Sequence, residues 1–293
     1  MKNLAVILPI FNEEKYIKRV LNSLEEAGIK NVYIDDACST DNTLKIIKEY
    51  KGYLNINLFE NEIQLPIFDS LFKMIKRVKE DYIYFIGADD ILENKFIPSD
   101  LIDNYLINEY YIPIIKCFSE KENKILKLMP PEDFIKSINQ SQNKKDIIKT
   151  LIDYASCDLM VLGIHRSKEF LNVMKFAKWE TLEGEGFWFL LSILLNRGKN
   201  INILKSENHG LIKYFEHKYQ TGTQHPETKR YKNDSIYEKI NRLKNSIINT
   251  FIFAKKYKLD LSSILLLLFC TRGKESYKYG YSKFKGPLLK IFE

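Results

Sequence analysis

An α/β fold built on a doubly wound, mainly parallel sheet, with a helical C-terminal extension, is what this sequence predicts. Short apolar runs rich in β-branched and aromatic residues recur at residues 4–9 (LAVILP), 31–34 (NVYI), 54–59 (LNINLF) and 82–86 (YIYFI). Between them lie segments whose apolar residues fall at helical spacing, and from residue 234 onward the pattern is helical and basic. Strands that alternate with helices build parallel sheets, because a parallel crossover needs a connection long enough to hold a helix.

The run at 4–9 has no polar alternation, as expected of a strand covered on both faces. After Asn12, the residues Ile17, Val20, Leu21 and Leu24 share one helical face, and Gly28 supplies the stop. Residues 31–34 give the second strand, and Ser39 with Asp41 sets up a helix over 43–47. A third strand at 54–59, a third helix at 68–78 and a fourth strand at 82–86 complete the alternation. Residues 120–155, rich in Lys, Asn and Gln and broken by Pro130 and Pro131, read as a variable linker and helical insertion. Residues 179–197 form a strongly apolar helix stopped by Gly198, and 201–204 (INIL) a further strand. No internal repeat is evident.

Composition bounds the function. Apolar residues at 45% and charged residues at 28% are ordinary for a chain that buries a core. The net charge of +7 is uneven: residues 218–293 hold sixteen Lys/Arg against six Asp/Glu, so the remainder is slightly acidic. Such a basic segment suits an anionic membrane surface, a phosphorylated lipid or a nucleic acid. No zinc finger, RNP motif or basic zipper supports the last, and nucleic acid is not an expected partner. Cys38, Cys117, Cys157 and Cys270 have neither metal-knuckle nor disulfide-framework spacing, which fits a reducing cytosol. The start MKNLAVILPIFNEEKYI reads as a strand and not a signal peptide. The longest apolar stretch, residues 264–270, is far below the ~20 residues that span a bilayer.

The chemistry concentrates where the strands end. Asp35 and Asp36 follow the second strand, and Asp89 and Asp90 the fourth. Apolar strands have no folding reason to end in paired carboxylates, because like charges there repel and must be hydrated or neutralised. A Mg²⁺ or Mn²⁺ ion carrying a diphosphate would neutralise the second pair, since such ions take one or two carboxylates together with substrate phosphates. In a doubly wound sheet both pairs reach the crevice outside the carboxyl ends of the strands.

Three segments in this order, VILPIFNEEKYI, IDDACSTDNT and YIYFIGADDIL, resemble the signature segments of the GT-A fold, family 2 glycosyltransferases. The resemblance covers residues 3–100. It implies a catalytic region over 1–215, with a nucleotide-sugar-binding half at 1–100 and an acceptor half at 101–215, followed by a basic helical region at 216–293. By position it implies that Pro9, Phe11 and Glu13 surround the nucleobase and ribose, and that Asp36 accepts a hydrogen bond from a uracil ring. Ser39, Thr40 and Asp41 match the S-T-D that follows; helix capping explains Ser39 and Asp41 equally well. Ala37 and Cys38 stand where the family often has Asp-Gly. In the GADD segment Gly87 replaces the first aspartate of a D-A-D-D pattern, which leaves Asp89 as the metal-bridging carboxylate and Asp90 as a second ligand or positioning group. Asp69 resembles a donor-binding aspartate of one family branch, or is a surface residue of an amphipathic helix.

The resemblance also implies an inverting transfer in which a carboxylate at the start of a helix takes the proton of the acceptor hydroxyl. That place is held by Glu183 and Glu185, of which Glu185 is preferred, although acids at a helix start also answer the macrodipole. His217 is a candidate metal ligand and Arg230 a candidate diphosphate partner. The expected partners are a nucleotide-sugar donor, a saccharide or lipid-linked acceptor and an anionic membrane surface; residues 264–269 with the lysines beyond either meet that surface, form an ordinary solvated helical face or pack against the catalytic domain. The expected location is the cytoplasm, either free or peripheral on the inner face of the cell membrane. Two other classes remain: a nucleotidyltransferase, which would want a glycine-rich basic loop that LPIFNEEKY lacks, and a sugar-nucleotide binder without catalysis.

Overall fold

The computed structural model describes residues 3–65, 67–93, 110–120, 122–129, 131–154, 163–177, 185–196, 203–215 and 235–269. β1 (Leu4–Ile10), α1 (Ile17–Glu26), β2 (Asn31–Asp36), α2 (Thr43–Lys48), β3 (Asn55–Glu60), α3 (Ile67–Ile75) and β4 (Tyr82–Phe85) follow the alternation in the sequence. β1 pairs in parallel with β2 on one side and β4 on the other, and β2 pairs in parallel with β3. Leu4 to Leu8 are all buried, as expected of the central strand of a covered sheet. Each fully buried aliphatic side chain contributes about 1.5–3 kcal/mol relative to exposure. Ile17, Val20, Leu21 and Leu24 form the buried face of α1. That helix ends as the sequence indicates: Gly28 adopts φ 77°, and the Ile29 N–H donates to the Leu24 carbonyl.

Beyond β4 the sheet becomes mixed. β5 (Ile91–Leu92), β6 (Tyr110–Ser119), β7 (Lys124–Met129), β8 (Ile164–Arg166) and β9 (Ile203–Phe215) extend it to nine strands in the order β3-β2-β1-β4-β8-β6-β9-β5, with β7 paired to β6. β8 runs antiparallel to β4, and β6 and β9 pair in parallel. Of the linker and helical insertion expected at 120–155, the helical part is present and the linker part is corrected. Residues 124–129 form β7, an antiparallel partner of β6, and α4 (Glu132–Gln140) and α5 (Lys144–Asp153) follow. Exposed Ile125, Leu126 and Leu128 interrupt the lysines of β7 without a clear period, which hid the strand. The strand expected at 201–204 is described from Ile203 and runs on to Phe215.

α6 (Ser167–Ala177), α7 (Glu185–Asn196), α8 (Ile236–Tyr257) and α9 (Leu261–Phe269) complete the described elements. α9 packs on α5 and α8, and α5 on α7. Phe253, Tyr257, Leu266 and Leu267 belong to the same buried cluster as the β1 residues. The apolar stretch at 264–269 therefore faces inward at Leu266 and Leu267, which is the packed alternative and not the membrane-facing one. No described helix is long and apolar enough to cross a membrane.

Candidate functional site

β1 lies at the point where the winding reverses: the chain leaves it through α1 for β2 on one side and comes back through α3 to β4 on the other. Ligands of open α/β sheets bind outside the carboxyl ends of the strands at this switch point. The register sets Pro9 beside Asp35, Ile10 beside Asp36 and Asp36 beside Glu60, while Ile7 pairs with Phe85 just before the 87–90 turn. Parallel pairing thus brings the first segment, both acidic pairs and the end of β3 to one sheet edge.

The loops after β1 and β2 are laced together. The Asn12 N–H donates to Ser39 Oγ at 2.9 Å, and Asn12 Oδ1 accepts from the Thr40 N–H at 2.7 Å. The Glu13 N–H donates to Thr43 Oγ1 at 2.7 Å, and the Glu14 N–H to Asp41 Oδ2 at 3.1 Å. Glu14 Oε2 accepts from both nitrogens of Asn42. Ser39, Thr40 and Asp41 therefore act in holding the crevice together, and Asp41 Oδ1 also accepts from the Thr43 N–H at the start of α2. Asn12 and Cys38 both sit at positive φ, 56° and 64°. Asn tolerates that region, and Cys38 occupies it where the family pattern places glycine.

Asp35 and Asp36 are both about 1% exposed, yet their environments differ. Asp35 Oδ2 accepts from Ser70 Oγ of α3 and from Asn61 Nδ2 at 2.9 Å. Burial nevertheless pushes the Asp35 carboxyl above its ordinary value, against the lowering effect of these hydrogen bonds. Asp36 Oδ2 accepts from the Ser39 N–H at 3.0 Å, whereas its buried Oδ1 has no hydrogen-bond partner. A buried carboxylate oxygen without a donor is costly, so its environment is complete only when a donor reaches it. Burial, and then Asp36 and Asp35, raise the Cys38 thiol; its Sγ donates to the Asn61 carbonyl at 3.0 Å. Asn61 and Ser70 were not singled out in the sequence, because only the fold brings the end of β3 and the face of α3 to Asp35.

The 87–90 turn is closed by the Asp90 N–H donating to the Gly87 carbonyl at 3.2 Å. Asp90 is fully buried and Asp89 half-buried. A Cβ at Gly87 would fall 2.7 Å from Asp90 Oδ2 and 3.0 Å from Asp89 Oδ1, so both carboxylates fold over the bare Gly87 Cα. Arg19 of α1 donates to the Asp89 carbonyl at 2.9 Å and lies over the Tyr16 ring, bracing the turn from below. Ser23 Oγ accepts from the Leu92 N–H just after it. Nothing in the helical pattern of α1 had marked Arg19.

The remaining candidates are placed unevenly. Pro9 and Phe11 are half-buried and Glu13 is buried at the mouth of the crevice. Asp69 is half-buried in the first turn of α3, one residue before Ser70. Glu185 is the first residue of α7. Glu183, His217 and Arg230 lie outside the described residues. Among the described residues no group of three His, Cys, Asp or Glu gathers as a complete metal site. Asp89 and Asp90 supply two carboxylates at one point, a number that suits Mg²⁺ or Mn²⁺ sharing its ligands with a diphosphate.

Comparison with known proteins identifies the family and the fold. A family model described as glycosyl transferase family 2 matches residues 5–161. Poly(ribitol-phosphate) beta-N-acetylglucosaminyltransferase TarS of Staphylococcus aureus is 30% identical over 100 residues, which are 32% of this chain and 18% of that protein. Poly(ribitol-phosphate) beta-N-acetylglucosaminyltransferase TarP of the same species is 26% identical over 270 residues, 88% of this chain and 76% of its own length. A UDP-N-acetylglucosamine–dolichyl-phosphate N-acetylglucosaminyltransferase of Methanococcus voltae is 48% identical over 48 residues, 16% of this chain and 19% of that protein. The match to TarS thus spans less than a fifth of that protein's length. Among solved structures, S. aureus TarS 1-349 in complex with UDP-GlcNAc superposes with a TM-score of 0.62 at 18% identity, covering 99% of this chain and 77% of that one. That likeness establishes the fold.

Proposed function

Because this chain belongs to glycosyl transferase family 2, we propose that it is an inverting transferase that moves a sugar from a UDP-sugar to a saccharide or lipid-linked acceptor. The observation that carries the proposal is the Asp36 carboxylate, buried at the switch point with one oxygen fixed by Ser39 and the other without a partner. A uracil ring presents an imide N–H, which supplies the missing donor, while Pro9 and Phe11 flank the ring and Glu13 the ribose. Names of relatives support an N-acetylglucosamine donor as the first to test. They also suggest a poly(ribitol-phosphate) or a dolichyl phosphate as the first acceptors to test.

Asp89, with Asp90, would hold Mn²⁺ or Mg²⁺, which when bound stabilises negative charge on the leaving diphosphate. Arg19 keeps the Asp89 backbone in place for that role. His217 would add a ligand, and Arg230 and Asp69 contacts to the donor. Glu185, at the N-terminus of α7, takes the proton of the acceptor hydroxyl as its oxygen attacks the anomeric carbon. Glu183 is the alternative base one short step upstream.

The test is UDP release from a panel of UDP-sugars, with Mn²⁺ and with EDTA, by the wild type and by Glu185→Gln and Glu183→Gln. One UDP-sugar is expected to be hydrolysed slowly without acceptor and faster with it. The Gln variant at the true base should lose about 10²–10⁴-fold in turnover with UDP affinity kept, the usual worth of a general base. UDP binding without release from any donor would leave a sugar-nucleotide binder and defeat the transferase reading.

A further inference from the structure

Helix α8 carries two apolar faces on opposite sides. Thr250, Phe253, Ala254 and Tyr257 are buried and pack it on the core. Tyr237, Ile240, Ile248, Phe251 and Ile252 are exposed, Tyr237 by 73% and Phe251 by 50%. At 3.6 residues per turn these five, with Lys244 and Lys255 among them, fall within roughly a third of the circumference. They form one stripe along a helix of 22 residues, about 33 Å long. Solvated helices rarely expose five large apolar side chains in line, and such a stripe marks a contact surface.

The charge on α8 selects the occupant. The helix contains five Lys or Arg and a single acidic residue, Glu238. Lys244 and Lys255 are exposed within the stripe itself. A second copy docked through this face would set lysines against lysines with no carboxylate on the stripe to pair them. An anionic bilayer surface accepts both features at once: its acyl boundary takes the apolar side chains and its headgroups take the ammonium groups. α8 is not apolar enough to cross a membrane, so it would lie in the interface plane. We propose that the outer face of α8, and not the stretch at 264–269, docks the enzyme on an anionic membrane. The proposal goes beyond the transferase reading and does not depend on it, because its test uses neither donor nor acceptor.

The full-length chain is sedimented with vesicles of phosphatidylglycerol and phosphatidylcholine, and with phosphatidylcholine alone. Two variants accompany it: Ile248→Ser/Phe251→Ser/Ile252→Ser, whose sites are about half exposed, and Lys244→Gln/Lys255→Gln, which leaves the apolar stripe intact. Circular dichroism and thermal midpoints show that both are folded. The wild type is expected to pellet with the acidic vesicles and to be released by salt. The serine variant should partition at least about tenfold less, and the glutamine variant about thirtyfold less at low salt, from two surface lysines. The proposal is overturned if the wild type does not pellet, or if both variants pellet like it. It is equally overturned if light scattering shows a wild-type dimer that the serine variant converts to a monomer while neither binds vesicles.

Discussion

Replacing Asp36 by Asn tests the nucleotide site at its most informative atom. The Ser39 N–H already holds Oδ2 at 3.0 Å, so in the variant the amide oxygen takes that position. Any other orientation would set two donors face to face. The amide nitrogen then occupies the place of Oδ1, the buried oxygen without a partner. A ligand N–H aimed at that point would lose a hydrogen bond to a charged acceptor, about 1.5–3 kcal/mol, which corresponds to roughly 10–150-fold weaker UDP binding. Folding should respond in the opposite sense, because the variant removes a buried negative charge that the protein leaves half satisfied. Calorimetric titration with UDP, paired with urea denaturation, reads both quantities. A UDP dissociation constant within about twofold of wild type, less than 0.5 kcal/mol, would refute the assignment of Asp36 to the base. A parallel loss of stability and affinity would instead make Asp36 a structural residue.

Two further predictions concern the frame of the site. Asn12→Ala removes the acceptor of the Thr40 N–H and puts alanine at φ 56°. The expected loss is about 2 kcal/mol in urea denaturation, from one hydrogen bond and one left-handed residue, and a loss under about 0.5 kcal/mol would show that the lacing is incidental. Asp35→Asn should raise stability at neutral pH, because burial lifts this carboxyl above its ordinary value. Between the ordinary value and the raised one the folded chain holds a proton that the unfolded chain has released, so the contribution of Asp35 to stability falls as pH rises through that window. Thermal midpoints from mildly acidic to neutral pH should therefore favour the variant most at the upper end, and a variant that is less stable there would contradict the sign.

The parallel half of the fold was legible because each of its elements is specified locally. β1 reads as one continuous apolar run, α1 has a clean apolar face and a glycine stop, and the carboxylates close strand two and stand in the turn after strand four. The mixed half was not. β6 and β8 carry no local signal and β7 reads as linker, because those strands exist through partners distant in sequence. β6 joins β9 across nearly a hundred residues, and β7 shows no alternation to mark its faces. The same limit applies to the site. Asp36, Asp89 and Asp90 could be found as strand ends, whereas Asn61, Ser70 and Arg19 matter only through side chains that the fold brings to them. The inward use of Leu266 and Leu267 and the outward apolar stripe of α8 could not be decided from hydrophobicity, since an apolar run says that a surface will be covered and not by what.

Gly87 shows how a departure from a family pattern can be part of a site's design. Read as a missing aspartate, it is one ligand fewer for a metal ion. In the folded chain a Cβ at that position would fall 2.7 Å from one Asp90 oxygen and 3.0 Å from one Asp89 oxygen, so the glycine is the space into which the two remaining carboxylates fold. A third carboxylate on the same turn would add like charge beside a buried Asp90. Two carboxylates suit an ion that takes its other ligands from a diphosphate and water. An ion so held would be weakly bound by the protein alone and firmly bound by protein and donor together. On the proposed function, metal and UDP-sugar would be two halves of one ligand, which is why the comparison of Mn²⁺ with EDTA has to be made with the donor present.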